Sequence, residues 1–241
     1  MKVLLFSKEK SFLIDTDQKK FSCQYGLVDL TRIKKYGQRI KTNKGKEFTV
    51  LEPTITDLLR KARRLPQIVT PKDAAQIAAV TGAADGWKCL DLGGGSGFLS
   101  LFLANIVRPS GSVVTYEKNK QHCDVIKHNI KYCGAGNVTA KNKPAERFTE
   151  KGLDLITVDM VGAEKLVKKA HASLKSGGWL AVYSPHIEQQ IRTKKEMQKY
   201  FTIIKTIETS QKEWKIDPRG FSHPVHSQLV HTGFMTFARK T

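Results

Sequence analysis

The chain has 241 residues, 40% of them hydrophobic and 26% charged, a balance that excludes wholesale disorder. No apolar run approaches the roughly 20 residues of a membrane span, and the short run at 3–6 is too brief for a signal peptide, so a cytoplasmic protein with no membrane contact is expected. Lysine and arginine number 41 against 22 acids, a net charge of +19 that favours a polyanionic partner, nucleic acid first among them. The excess is densest at the start, where residues 1–70 hold 16 basic and 7 acidic side chains.

Apolar runs at 3–6, 12–14 and 48–51, separated by polar turns, predict a small antiparallel sheet or barrel. Asn43-Lys44-Gly45 supplies a tight turn between strands at 39–42 and 47–50. Thr54 followed by Asp57 makes a capping box, and Ile55, Leu58, Leu59 and Ala62 line one helical face that ends in the basic run Arg60, Lys61, Arg63 and Arg64. Thr70-Pro71-Lys72-Asp73 reads as a second helix start, with a capping threonine, and predicts a helix to about Val80.

Strand and helix then alternate: strand 88–92, helix 99–107, strand 112–117, helix 120–133, strand 137–140, strand 153–159, helix 163–174. After Ser176-Gly177-Gly178 come a strand at 179–183, a helix at 188–200 and two late strands at 201–208 and 229–238. The pattern predicts a parallel α/β sheet closed by an antiparallel pair. The expected domains are a small N-terminal β domain over 1–52, a linking helix and connector over 53–70, and an α/β domain over 71–241.

Cys23, Cys89, Cys123 and Cys133 form no CxxC pair and fit a reducing compartment, with a bridge between Cys123 and Cys133 left open. His223, His226 and His231 cluster without a neighbouring cysteine and read as loop or core histidines, so no metal is expected.

The sharpest signal is Cys89-Leu90-Asp91-Leu92-Gly93-Gly94-Gly95-Ser96-Gly97, a strand running into a glycine-rich turn and then a helix. A nicotinamide fingerprint needs a glycine where Phe98 stands, and a P-loop needs a Gly-Lys-Ser/Thr that is absent. What is left, acid-x-Gly-x-Gly-x-Gly, resembles the first motif of the S-adenosyl-L-methionine-dependent methyltransferases. Asp91, Gly93, Gly95, Ser96 and Gly97 are then candidate cofactor residues. Glu117, at the end of the next strand, is placed to accept bonds from two ribose hydroxyls.

Asp159 ends the fourth core strand, where such sheets present side chains to a crevice. Its carboxylate could hold an exocyclic amine or take up a proton as a ring nitrogen is methylated; alternatively it caps the following segment. Tyr183-Ser184-Pro185 ends the fifth strand beside the same crevice.

These residues and several others resemble the tRNA adenine-N1 methyltransferases that modify adenine 58 of the T-loop. Pro53-Thr54, the segment Arg64-Leu65-Pro66-Gln67-Ile68-Val69-Thr70-Pro71-Lys72-Asp73, Pro185-His186-Ile187-Glu188-Gln189 and His231-Thr232-Gly233-Phe234 are similar to that family's motifs. The resemblance implies a Rossmann-like catalytic domain behind a small β domain, a homotetramer, and methyl transfer from S-adenosyl-L-methionine to N1 of a tRNA adenine. It implies Asp159 as the catalytic aspartate and Glu117 as the ribose ligand. Tyr183, Pro185, Gln189 and His231 would face substrate, the alternatives being an edge-of-core aromatic, a helix start, a helix-surface amide and a strand-pairing or buried histidine, and Arg60, Lys61, Arg63 and Arg64 would meet tRNA phosphates. Three positions depart from the pattern: Gly162-Ala163-Glu164 replaces an acid-Pro-Trp segment, Thr70 stands for a tyrosine, and Asn142-Lys143 offers no acid. Two rival readings are a methyltransferase for a small molecule such as a corrin precursor or for a protein residue, and a tRNA-binding subunit without catalysis.

Overall fold

The computed structural model describes residues 1–226 and 231–241, and the chain divides into two compact units, Met1–Ala62 and Arg63–Thr241. In the first unit the strands are β1 (Lys2–Phe6), β2 (Ser11–Asp15), β3 (Lys20–Cys23), β4 (Gly26–Asp29), β5 (Arg39–Lys41) and β6 (Glu47–Leu51), followed by helix α1 (Ile55–Leu59). Among the described residues β2-β1-β6-β5 form an antiparallel sheet and β3-β4 a separate hairpin. Strict alternation puts Val3 and Leu5 of β1 and Phe48 and Val50 of β6 on one buried face, where they pack with Ile14, Val28, Leu30 and Ile40. The expected turn closes β5 to β6, and the Asn43 side chain also accepts the Leu27 N–H of β4 at 2.8 Å, so one residue ties hairpin to sheet. The capping box forms as the sequence predicts: Thr54 N–H donates to Asp57, and Asp57 N–H donates to the Thr54 hydroxyl.

In the second unit α2 (Pro71–Thr81) precedes β7 (Lys88–Leu92), α3 (Phe98–Val107), β8 (Ser112–Tyr116), α4 (Lys120–Cys133), β9 (Val138–Lys141) and β10 (Leu153–Val158). Then follow α5 (Val167–Ser173), β11 (Leu174–Ser184), α6 (Ile187–Met197), β12 (Ile203–Glu208), β13 (Trp214–Lys215), β14 (His223–Pro224) and β15 (Phe234–Arg239). The main sheet runs β12-β15-β11-β10-β7-β8-β9, parallel from β9 through β11, with β15 antiparallel to both of its neighbours. All six residues of β10 are buried, as expected for a central parallel strand covered on both faces. The strand order reverses between β7 and β10. A crevice therefore opens at their carboxyl ends, where Gly93 follows one strand and Asp159 the other.

The structure differs from four expectations. The helix expected over 163–174 splits into a 3₁₀ turn, Ala163–Leu166, and the short α5, and Leu174 already belongs to β11. Ser176-Gly177-Gly178 looks like a terminator, but it is an excursion inside one strand: pairing with β10 jumps from Leu153↔Leu174 to Leu155↔Trp179. Thr70 does not cap α2 with its side chain; its hydroxyl donates to Asp73 Oδ2 at 2.9 Å. The last strand begins at Phe234, while Leu229 and Val230, at the start of the expected strand, lie outside the described residues.

The cysteines are free thiols. Cys123 and Cys133 both lie on α4, ten residues apart, a rise of about 15 Å that no disulfide spans.

Candidate active site

β7 delivers the chain into the glycine loop, and the loop turns into α3 at Gly97. Gly93 has φ +92°, and a Cβ there would stand 2.3 Å from the carbonyl oxygen of Asp159, so only glycine lets the two strand ends close on each other. Beneath the loop Asp91 is 2% exposed and accepts hydroxyl donors from Ser100, from Thr157 at 2.7 Å and from Thr115 at 3.3 Å. Burial pushes its carboxyl pKa upward. Three hydroxyls thus hold Asp91 as the floor of the cleft.

Ser96 holds the cleft's other side. Its hydroxyl accepts the Leu65 N–H at 2.8 Å, while its carbonyl accepts the Asn129 amide at 2.9 Å. Asn129 also exchanges two bonds with the Arg63 backbone, at 2.9 and 2.8 Å. These bonds pin the segment from Arg63 across the loop, so that Gln67, Ile68 and Val69 face Gly93, Gly94, Gly95, Phe98 and Asp159 around a cleft. Gln67, with φ +59°, is the non-glycine residue with positive φ among the described residues, and its backbone strain sits at this wall. Asn129 belongs to no motif of the sequence. The signal was its position on the apolar face of α4 with Cys123 and Ile126, where a buried amide must find partners.

Glu117, nearly buried, accepts the Gly95 N–H at 3.0 Å through Oε2 and the Asn119 N–H at 2.8 Å through Oε1. Each oxygen keeps a further lone pair for a ligand hydroxyl. Asp159 lines the cleft opposite, its backbone N–H donating to the Leu92 carbonyl at 2.9 Å. Burial, and then the neighbouring Asp91 charge, pushes its carboxyl up to about 7. Such a group changes charge at neutral pH.

Tyr183 and Asp159 leave adjacent strands side by side, since Val182 pairs with Val158. The Tyr183 hydroxyl donates to the Thr232 carbonyl, and Gly233 packs against its ring. Burial and then the charges of Asp73 and Asp159 raise its pKa, so it stays a neutral phenol. Thr232 is held in turn by Asp73, fully buried, at 2.7 Å and by Lys72 at 2.6 Å, and Lys72 pairs with Asp73 at 2.7 Å. His231 bridges two acceptors: Nδ1 donates to Glu208 at 2.6 Å and Nε2 to the Pro185 carbonyl at 3.0 Å. Both bonds need N–H groups, and they raise its pKa, Glu208 foremost. Gln189 accepts the Ser184 hydroxyl at 2.7 Å. His231, Pro185 and Gln189 are thus joined to the end of β11 through bonds within the chain. Arg60 and Lys61 are exposed on the first unit, Arg63 and Arg64 on the second.

A protein of Methanocaldococcus jannaschii named tRNA (adenine(57)-N(1)/adenine(58)-N(1))-methyltransferase TrmI is 29% identical over 267 residues, covering 99% of this chain and 94% of that one. The Thermus thermophilus protein named tRNA (adenine(58)-N(1))-methyltransferase TrmI is 29% identical over 209 residues, covering 85% and 81%. The crystal structure of a SAM-dependent O-methyltransferase from Thermotoga maritima matches with a TM-score of 0.84 at 32% identity, over 100% of this chain and 92% of that one. Sheet order, glycine loop and these likenesses define the class: a Rossmann-like methyltransferase whose methyl donor is S-adenosylmethionine. The chain belongs to the family described as tRNA methyltransferase complex GCD14 subunit, whose sequence model matches residues 50–223.

The cleft fits that donor. Its loop side is backbone from Gly93 to Gly95, which admits close approach of a ligand, and Glu117 retains acceptor capacity next to it. Glu117→Gln is expected to weaken S-adenosylmethionine binding by about 1–3 kcal/mol, because charge-assisted bonds to hydroxyls become neutral ones. Calorimetric titration measures this, and an unchanged affinity would remove Glu117 from the cofactor site.

Proposed function

We propose that this chain methylates N1 of adenine 58 in the T-loop of tRNA with S-adenosylmethionine as donor, working in the cytoplasm as a homo-oligomer. The observation that carries the reading is the placement of Asp159 at the strand-order switch, across the cleft from the glycine loop, where burial pushes its carboxyl up to about 7.

S-adenosylmethionine, when bound, supplies an electrophilic methyl group on a sulfonium sulfur. The chain's own residues do the rest. Gly93, Gly95 and Gly97 shape the backbone cradle, and Glu117 orients the donor through its ribose. Asp159, ionised, accepts a hydrogen bond from the exocyclic amine of the target adenine and so fixes N1 in the attacking direction. The same negative charge offsets the positive charge that the ring acquires on alkylation. No covalent enzyme intermediate is required. Tyr183, with its hydroxyl committed to Thr232, offers a ring and not a proton. Holding the base outside its helical stack costs a few kcal/mol, offset by contacts to phosphates and neighbouring bases. Arg60, Lys61, Arg63 and Arg64 are suited to the phosphates, reading RNA by backbone and shape.

The test is incubation of the purified protein with S-adenosylmethionine and an unmodified tRNA transcript, followed by nucleoside mass spectrometry. The expected product is 1-methyladenosine from the T-loop. Methylation confined to an oxygen, a protein side chain or a small metabolite would overturn the assignment, as would tRNA binding without methyl transfer.

A further inference from the structure

Among the described residues of the Arg63–Thr241 unit, the large apolar side chains that stand out into solvent are Val161, Ile187, Ile191, Trp214, Ile216 and Phe221. Their positions share one feature. Val161 follows β10, Ile187 and Ile191 follow β11, and the other three follow β12. β10 and β11 are parallel, and β12 points the same way, since β11 and β12 are both antiparallel to β15. All six therefore lie on connections that leave the carboxyl edge of the sheet, the edge that carries the glycine loop and Asp159. The opposite edge has no such side chain among the described residues.

An acceptor small enough to be enclosed needs a closed pocket and no apolar apron around it. A large acceptor with exposed ring systems does need one. Trp214 is 51% and Phe221 79% exposed, so much of each side chain is open to a partner. Lys212 sits beside the Trp214 ring with Nζ 5.5 Å from its centroid, and Lys215 and Arg192 are exposed on the same set of connections. Arg219 differs, being paired with Asp217 at 3.0 Å. Exposed aromatics interleaved with cations are the surface on which unpaired bases stack while their phosphates are neutralised. A second copy meeting this face with its own would set like cations against each other, whereas a polyanion is attracted by them.

We infer that this apron docks RNA: unpaired nucleotides flanking the target adenine stack on Trp214 and Phe221, with Arg192, Lys212 and Lys215 at their phosphates. The inference rests on the reading of the chain as a tRNA methyltransferase and assigns part of its substrate contact to the connection after β12, beyond the Arg60 to Arg64 run. Two variants test it, Trp214→Ala with Phe221→Ala, and Lys212→Gln with Lys215→Gln. Neither touches a buried side chain. Affinity for an unmodified tRNA transcript is measured across a salt series, alongside S-adenosylmethionine affinity, thermal midpoint and sedimentation. The ring variant is expected to weaken tRNA binding by about tenfold or more. The lysine variant should flatten the log-log salt slope by about 1–2, since each phosphate contact contributes roughly 0.7–0.9. Cofactor affinity and midpoint stay at wild-type values in both. Unchanged tRNA affinity in the ring variant overturns the inference, and if its sedimenting mass falls as well, the apron is an interface between copies. Weakened tRNA binding in the ring variant, with a wild-type protein that transfers no methyl group to tRNA, supports the docking surface and overturns the catalytic reading instead.

Discussion

Asp159→Asn is expected to lower kcat/KM for methyl transfer by at least about a hundredfold while leaving S-adenosylmethionine affinity close to wild type. The amide is nearly isosteric and can still accept a hydrogen bond, so the loss reports the missing charge. The same carboxyl sets a pH profile. It titrates at about 7, so below that value the ionised fraction, and with it wild-type kcat/KM, falls about tenfold per pH unit. The variant should lack this limb. Stability moves the other way. A carboxyl raised from 3.8 to about 7 binds a proton in the folded state through that window while the unfolded chain has released it. Wild-type stability therefore declines as pH rises from 4 to 7. Above neutrality Asp159→Asn is expected to be more stable than wild type by on the order of 2–4 kcal/mol, with the advantage vanishing near pH 4. Chemical denaturation at pH 4 and pH 8 measures both. A flat difference between the two pH values would show that the carboxyl is not raised, and retained activity would remove Asp159 from the mechanism.

Gly93→Ala should damage fold and cleft together. The added Cβ meets the Asp159 carbonyl oxygen at 2.3 Å and its carbon at 3.0 Å, both backbone atoms, at a φ of +92°. Relief requires the ends of β7 and β10 to part, which widens the crevice. The expected loss is about 3 kcal/mol or more, a fall of roughly 6–12 °C in thermal midpoint, with S-adenosylmethionine binding abolished. Gly95→Ala is the control. It has φ +53° with nothing within 4 Å of its Cβ, so it should lose only about 1 kcal/mol. Equal effects of the two substitutions would show that the closeness of the strand ends does not govern the cleft.

Much of this fold is legible because local chemistry and tertiary role agree. α4 runs from Lys120 to Cys133 as its sequence predicts, since Asn119 caps one end and Gly134 terminates the other in left-handed conformation. β10 is visible as a strand through Leu155, Ile156 and Val158, and the glycine loop as a strand followed at once by flexible residues. Illegible features depend on partners distant in sequence. Leu174 reads as the last residue of a helix, and only pairing with Leu153 makes it a strand. Asn129 shows only its place on the apolar face of α4, and its partners Ser96 and Arg63 come from distant segments. Thr70 has every mark of a cap, yet a buried Asp73 three residues on takes its hydroxyl. β13 and β14 have two residues each, too few for any periodicity. His231, picked out for substrate, bridges Glu208 and Pro185 in a pairing that no spacing announces.

The place of β15 between β11 and β12 also fixes a calendar for synthesis. β12 is made earlier but has β15 as its sheet neighbour, so it must wait, and the long apolar edge of β11 waits with it. Until the ribosome has released Arg239 the nascent chain carries an open strand edge of the kind that recruits other chains. Holding factors that shield such an edge would act on this protein late, after the cofactor cleft between β7 and β10 has already been translated in full.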